Sequence, residues 1–99
     1  MVLHLGEDLA IPVDQILMII NATNMTPELA AWTEGFKKNR RYVACQGKPK
    51  AFALVRERGK TRDRLYASSI ASATLQKRLN DTISRKWLFE AAVLSVEEI

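Results

Sequence analysis

The chemistry that this sequence offers most clearly is that of positive charge. Of the 15 basic and 11 acidic residues, residues 37–64 hold 11 of the basic ones but only two of the acidic ones, Glu57 and Asp63. The positive charge is therefore concentrated in one window, although the chain as a whole carries only +4. Lysine and arginine neutralise phosphates, and such segregation is typical of proteins that bind a polyanion. The alternative is that these cations simply populate solvated loops and helix ends.

The candidate binding residues lie in and beside a predicted turn. Two apolar runs, residues 42–45 and 51–55, flank a segment with a glycine, a proline and two lysines, which is the pattern of a β-hairpin. Gly47 can adopt a positive φ and would let backbone N–H groups approach a phosphate. We therefore predict a hairpin over residues 40–55 that displays its cations to duplex DNA. The candidate nucleic-acid-binding residues are Lys48 and Lys50 at the tip, Gly47 beside them, Arg40 and Arg41 at the base, and Arg56 and Arg58 beyond.

Groups that could support catalysis are scarce. His4 is the only histidine, and its apolar neighbours predict a partly buried, hydrogen-bonded side chain. Cys45 is the only cysteine and is expected to be a small strand residue rather than a nucleophile. The adjacent Glu7 and Asp8 fit a solvated turn better than a general acid–base pair. We expect no enzymatic activity, no metal site and no cofactor.

Length and composition indicate one small domain. Ninety-nine residues with 47% hydrophobic content suit a single globular unit, and no apolar run approaches the roughly 20 residues of a membrane span. The N-terminal residues lack the basic leader of a signal peptide, so a cytoplasmic location is expected, with neither a membrane nor a small-molecule substrate as partner.

Hydrophobic patterning predicts three strands and a helix before the basic window. Residues 2–5 and 9–11 alternate like two strands joined by a tight turn, and residues 16–20 are apolar throughout, like a strand covered on both faces. Thr26 and Pro27 predict the start of a helix whose apolar stripe includes Phe36. Asn39 is the expected left-handed residue at its end.

A further strand and a second helix are predicted after the basic window. Residues 64–67 are strand-like, and Ser72 is the expected cap of a helix from residue 73. Residues 80–82 either interrupt that helix or restart it with Asp81 as a new cap. The predicted order β-β-β-α-β-β-β-α makes an α+β domain around a mainly antiparallel sheet. Residues 1–81 form the predicted domain, and residues 82–99 an apolar helical extension that packs on the core or on a neighbouring subunit.

Five segments, in order and at similar spacing, resemble a bacterial family of extracellular-matrix regulators typified by RemA and RemB. They are residues 4–8 (HLGED), 11–16 (IPVDQI), 25–27 (MTP), 47–50 (GKPK) and 71–78 (ASATLQKR). The opening and the GKPK segment are more similar to RemB than to RemA.

The resemblance implies a DNA-binding regulator of biofilm-matrix genes that is not an enzyme. RemA-type members assemble into rings that present basic residues to duplex DNA, so a homo-oligomer is expected. The family's basic hairpin falls on Lys48 and Lys50, whereas a further basic position of the family falls on Gln15. A different reading remains open: a protein-interaction or assembly module whose basic face meets an acidic partner.

Overall fold

The structure, a computed structural model, describes residues 1–6 and 9–97, with side chains described for residues 1–6 and 9–84. Within these residues the chain forms the predicted α+β arrangement of six strands and two helices, with one short 3-10 turn added before the third strand. The elements are β1 (Val2–Gly6), β2 (Leu9–Pro12), the 3-10 turn (Val13–Gln15), β3 (Ile16–Asn21), α1 (Pro27–Lys38), β4 (Tyr42–Val43), β5 (Ala51–Val55), β6 (Arg64–Ser68) and α2 (Ser72–Glu97).

The strands form two sheets. Strands β1 and β2 pair antiparallel as predicted, and the tight turn expected at residues 7–8 lies outside the described residues. The other four strands form one sheet in the order β3-β5-β6-β4. Within it, β5 is antiparallel to both β3 and β6, whereas β4 runs parallel to β6. The larger sheet is therefore mixed.

Strand β5 lies at the centre of the core, because both of its faces are covered. Ala51, Ala53 and Val55 pack with apolar side chains of β1, β2 and the first turn of α2. Phe52 and Leu54 point to the opposite side and pack in the cluster that contains a phenylalanine of α1. All five side chains are buried. The larger sheet thus lies between two other layers, with β1, β2 and the start of α2 on one face and α1 on the other. The two loops that flank β5 both begin or end at this buried strand.

The predicted hairpin over residues 40–55 is wrong. Strands β4 and β5 do not pair, because β6 lies between them in the sheet. Residues 44–50 instead connect β4 to β5 across the end of β6. Each of the two apolar runs contains a strand, but both strands pair with β6, which follows them in the chain, and not with each other. Local patterning carries no information about that choice.

The expectation that residues 16–20 are covered on both faces is also wrong. They form β3, but β3 is an edge strand whose Leu17 and Met18 are 49% and 51% exposed. Helix α1 packs mainly against β4 and β6, so it leaves the β3 side of that sheet face open. The ladder to β5 is irregular between Ile16 and Met18. Edge strands with apolar side chains are candidates for contact with another chain.

Helix α1 begins as predicted. The Thr26 hydroxyl accepts a hydrogen bond from the Leu29 backbone N–H at 3.1 Å, and Pro27 is the first helical residue. The helix end differs from the prediction: Asn39 has a φ of −90°, and Arg40 adopts the left-handed conformation with a φ of 57°. Asn39 instead closes the last turn with its side-chain amide, which donates to the Gly35 carbonyl at 2.8 Å.

Helix α2 is continuous from Ser72, so Ser72 is its first residue rather than its cap, and residues 80–82 do not interrupt it. Leu75 is fully buried, whereas Ile83 is 43% exposed. The expected packing of the apolar C-terminal side chains lies outside the residues whose side chains are described. No helix in the described part of the chain is long and apolar enough to cross a membrane.

Candidate nucleic-acid interface

The lysine loop, residues 44–50, crosses the end of the larger sheet and is pinned there by its backbone. The Lys50 N–H donates to the Ser68 carbonyl at 2.8 Å, and the Lys50 carbonyl accepts from the Ala22 N–H at 3.0 Å. These bonds tie the loop to the ends of both β6 and β3. Gly47 has a φ of 76°, as predicted from its place in the turn. The loop is therefore held in place by backbone hydrogen bonds at the ends of two strands.

The side chains of Lys48 and Lys50 are exposed, and neither makes an ion pair with any of the described residues. Pro49 lies between them and is half-buried. Because proline has a fixed φ and the loop is anchored on either side, the two ammonium groups start from a defined backbone. Both charges are available to a ligand.

The arginine loop, residues 56–63, connects β5 to β6 at the opposite end of the sheet. The Arg56 N–H donates to the Gln15 carbonyl at 2.9 Å, which continues the pairing of β5 with the start of β3. A turn follows at Gly59, whose φ is 80°, and the Lys60 N–H donates to the Glu57 carbonyl at 3.0 Å. Lys60, Thr61 and Arg62 are exposed.

Three arginines at this end have acidic partners. Arg56 Nε lies 2.6 Å from Asp63 Oδ1, and this hydrogen bond raises the pKa of the Arg56 guanidinium above its ordinary value. Arg58 Nη2 lies 2.8 Å from Asp14 Oδ2, with the Arg58 side chain 85% exposed. So exposed a pair contributes less than about 1 kcal/mol, which means that Arg58 can exchange its partner for a phosphate at little cost. The third pair joins Arg64 to Glu57 at 3.7 Å.

Arg41 makes contacts that hold several elements of the fold together. Its carbonyl accepts from the Leu65 N–H at 2.9 Å, which starts the pairing of β4 with β6. Its guanidinium carbon lies 5.0 Å from the centroid of the Phe36 ring, and Nη1 donates to the Asp63 carbonyl at 3.3 Å. Arg41 Nε is buried and has no hydrogen-bond partner among the described residues. Arg41 therefore fastens α1 and β4 to the arginine loop.

The predicted site is divided between two ends of the sheet. Gly47, Lys48 and Lys50 lie in the lysine loop, whereas the four arginines of the prediction lie at the other end. At about 3.3 Å per residue, strand β5 separates Lys50 from Arg56 by roughly 20 Å. That is more than twice the screening length of about 8 Å at physiological salt, so the two groups act as separate patches. The arginines at the far end are Arg40, Arg41, Arg56 and Arg58.

A cavity at the arginine end is lined by four cations, of which only Arg41 was among the predicted site residues. The cavity has a volume of about 250 Å³ and is lined by Arg41, Glu57, Lys60, Thr61, Arg62 and Arg64. A signal for it exists in the sequence, because a basic residue occupies every second position from 56 to 64. The turn at Gly59 decides which of these side chains line the cavity, and the alternation of basic residues does not predict the geometry of that turn.

Two further groups considered for chemistry, His4 and Cys45, have surroundings that differ from those predicted. His4 is exposed, contrary to expectation, because the alternation of β1 buries Leu3 and Leu5 instead. Cys45 lies in the lysine loop rather than in a strand and is half-buried. Among the described residues, no group of three or more His, Cys, Asp or Glu side chains is placed to hold a metal ion.

Comparison of the chain with protein-family models and with curated proteins gives no match. The resemblance to the extracellular-matrix regulators therefore remains a prediction from the motifs of residues 4–79.

Proposed function

We propose that this chain is a DNA-binding transcriptional regulator of extracellular-matrix or biofilm genes that works in the cytoplasm as a homo-oligomer. It acts by binding and not by catalysis, and it needs neither cofactor nor small-molecule substrate. The observation that carries the proposal is the lysine loop: two exposed lysines without ion-pair partners among the described residues, on backbone bonded to two strands. The resemblance assigns the family's DNA contacts to these same two lysines.

The structure supports the oligomeric part of the proposal through β3. This edge strand leaves Leu17 and Met18 about half exposed on a stretch of the sheet that α1 does not cover. Repetition of the lysine loop around an oligomer would multiply a weak single contact into stable binding, because the second and later contacts form at high effective concentration. A ring is the closed form of such an assembly.

The test measures the binding of duplex DNA to a Lys48→Glu, Lys50→Glu double variant. Fluorescence anisotropy reports the affinity over a range of KCl concentrations. We expect an affinity at least about tenfold weaker and a log–log salt dependence that is shallower by roughly two, because two phosphate contacts are lost. A Lys77→Glu, Arg78→Glu variant in the exposed part of α2 makes the same charge change away from both loops. Light scattering after size exclusion checks that both variants assemble like the wild type.

Equal losses in the two double variants would show a bulk charge effect and reject the lysine loop as the site. No binding of duplex DNA by the wild-type protein at low salt would reject the proposal itself. An intact oligomer without DNA binding would then favour the second candidate, an interaction module for an acidic partner. The observation in favour of that candidate is the same pair of exposed lysines, because carboxylates of an acidic protein can pair with them as phosphates do.

A further inference from the structure

The arginine loop contains a second concentration of charge that the proposed function does not use. We propose that the cavity beside this loop binds a phosphate group, with Arg41, Lys60 and Arg62 as its cationic ligands and the Thr61 hydroxyl as a neutral donor. This site is separate from the lysine loop, and the inference holds whether or not the chain binds DNA there.

Charge balance in the cavity favours a multiply charged anion. Four of its six lining residues are basic and one, Glu57, is acidic. Glu57 is 3.7 Å from Arg64, so it neutralises the cation that lies nearest to it. Arg41, Lys60 and Arg62 have no acidic partner among the described residues. Several unneutralised cations around one space repel one another, and a bound dianion relieves that repulsion.

The position of Arg41 gives the site a rigid component. The Phe36 ring and the Asp63 carbonyl hold its guanidinium in place before any ligand arrives. Only one of its five N–H donors has an acceptor among the described residues, and the Nε–H is buried without one. Guanidinium donors match the oxygens of a phosphate in a planar fork, and a group that is already fixed loses little entropy on binding.

The size and lining of the cavity favour a small, polar ligand. Its volume of about 250 Å³ is below the range of roughly 300–1,000 Å³ typical of sites for drug-sized molecules. All six lining residues carry a charged or hydroxyl group, so polar ends surround the space even where aliphatic stems form part of its wall. A phosphate group fits both properties, either as part of a DNA backbone or as part of a small phosphorylated molecule.

The site is tested by titration of the full-length protein with inorganic phosphate. Two-dimensional NMR measures the change in amide chemical shifts during the titration. Sodium chloride at matched ionic strength serves as the reference for screening. We expect saturable shifts centred on residues 41 and 56–64. A Lys60→Ala, Arg62→Ala variant should bind phosphate at least about tenfold more weakly, because two charge-assisted contacts are lost. Both side chains are exposed, so the variant is expected to fold.

The matched control is Lys48→Ala, Lys50→Ala, which removes the same charge from the opposite end of the sheet and should leave phosphate binding unchanged. Equal weakening in both variants, no weakening in either, or shifts that chloride reproduces would each overturn the proposal. Duplex-DNA binding by the same two variants then identifies the source of the phosphate. A loss of DNA affinity in the Lys60→Ala, Arg62→Ala variant assigns the site to the DNA backbone, and unchanged DNA affinity assigns it to a small phosphorylated molecule.

Discussion

Arg40 carries the left-handed conformation that ends α1. Its N–H donates to the Lys37 carbonyl at 3.2 Å, and the next N–H, of Arg41, reaches back to the Phe36 carbonyl at 2.9 Å. This pair of bonds closes the helix and turns the chain into β4. Glycine is the residue that adopts such a conformation without steric cost, so an arginine here is a local strain that the turn imposes.

Replacement of Arg40 by glycine is expected to stabilise the fold. At φ 57° the change removes the clash of a Cβ atom and should raise the free energy of unfolding by about 0.5–1 kcal/mol relative to Arg40→Ala. The alanine variant is the matched control, since it loses the same charge but keeps the Cβ atom. Urea denaturation of the two variants measures the difference, and an Arg40→Gly variant less stable than Arg40→Ala would contradict the assignment.

Arg41 is expected to matter for stability as well as for charge. An Arg41→Lys variant keeps the positive charge but loses the planar group that lies over Phe36 and donates to Asp63. We expect a loss of about 1–2 kcal/mol in the free energy of unfolding, measured by urea denaturation. Arg62→Lys, at an exposed position in the arginine loop, should change the free energy of unfolding by less than about 0.5 kcal/mol. Similar values for the two variants would mean that Arg41 does not hold α1 and β4 to the loop.

At the scale of elements, one buried hydroxyl joins the two sheets. Ser68, at the end of β6, is fully buried; its Oγ donates to the Leu5 carbonyl of β1 at 2.8 Å and accepts from the Ile70 N–H at 3.1 Å. The same residue's carbonyl accepts from Lys50 of the lysine loop. Ser68 therefore links the β1–β2 hairpin, the central strands and the lysine loop.

Removal of that hydroxyl is expected to destabilise the protein. Ser68→Ala leaves one buried carbonyl and one N–H without their partner, so the free energy of unfolding should fall by about 2 kcal/mol. Ser69→Ala is the control, because the Ser69 side chain makes no hydrogen bond with the described residues, and it should cost less than about 0.5 kcal/mol. Thermal and urea denaturation compare the two, and an equal cost would show that the Ser68 hydrogen bonds add nothing.

The start of α1 and the pairing of β1 with β2 were predictable, whereas the pairing of β4 and the exposure of β3 were not. Thr26 and Pro27 define the start of α1 through contacts within four residues, and the sequence reports such contacts directly. The partner of β4 depends on a strand that begins at Arg64, and the burial of β3 depends on where α1 lies over the sheet. Both features depend on tertiary packing, which local sequence patterns do not report. Two apolar runs around a segment with Gly and Pro therefore suggested a hairpin that the fold does not contain.

At the scale of the whole molecule, the charge is divided and the apolar surface is not fully covered. The concentration of cations in residues 37–64 was visible in the sequence. The separation of these cations into two groups was not visible in the sequence, because it arises from β5, which runs from one end of the sheet to the other between Lys50 and Arg56. The site predicted as one surface is therefore two patches, each of which has its own test.

The proposed oligomer is expected to form through the exposed apolar side chains of β3. Met18→Glu places a charge on the uncovered part of the sheet and is expected to lower the assembled mass to that of a single chain, as measured by size exclusion with light scattering. Met25→Glu, at a similarly exposed methionine in the loop before α1, is the control and should leave the mass unchanged. A Met18→Glu protein with the mass of the wild type would exclude β3 as the contact.

The pairing of β4 with β6 also determines the order in which parts of the chain can fold during synthesis. When β4 leaves the ribosome, the strand that it pairs with is still inside the exit tunnel, and Lys50 has no acceptor until Ser68 emerges. Once residues 1–63 have emerged, the chain has the segments to form α1 and the β3–β5 pair, but the lysine loop still lacks its hydrogen bond to Ser68. Arrested chains of increasing length should therefore become protected from protease at residues 44–50 only after the whole of β6 has cleared the exit tunnel.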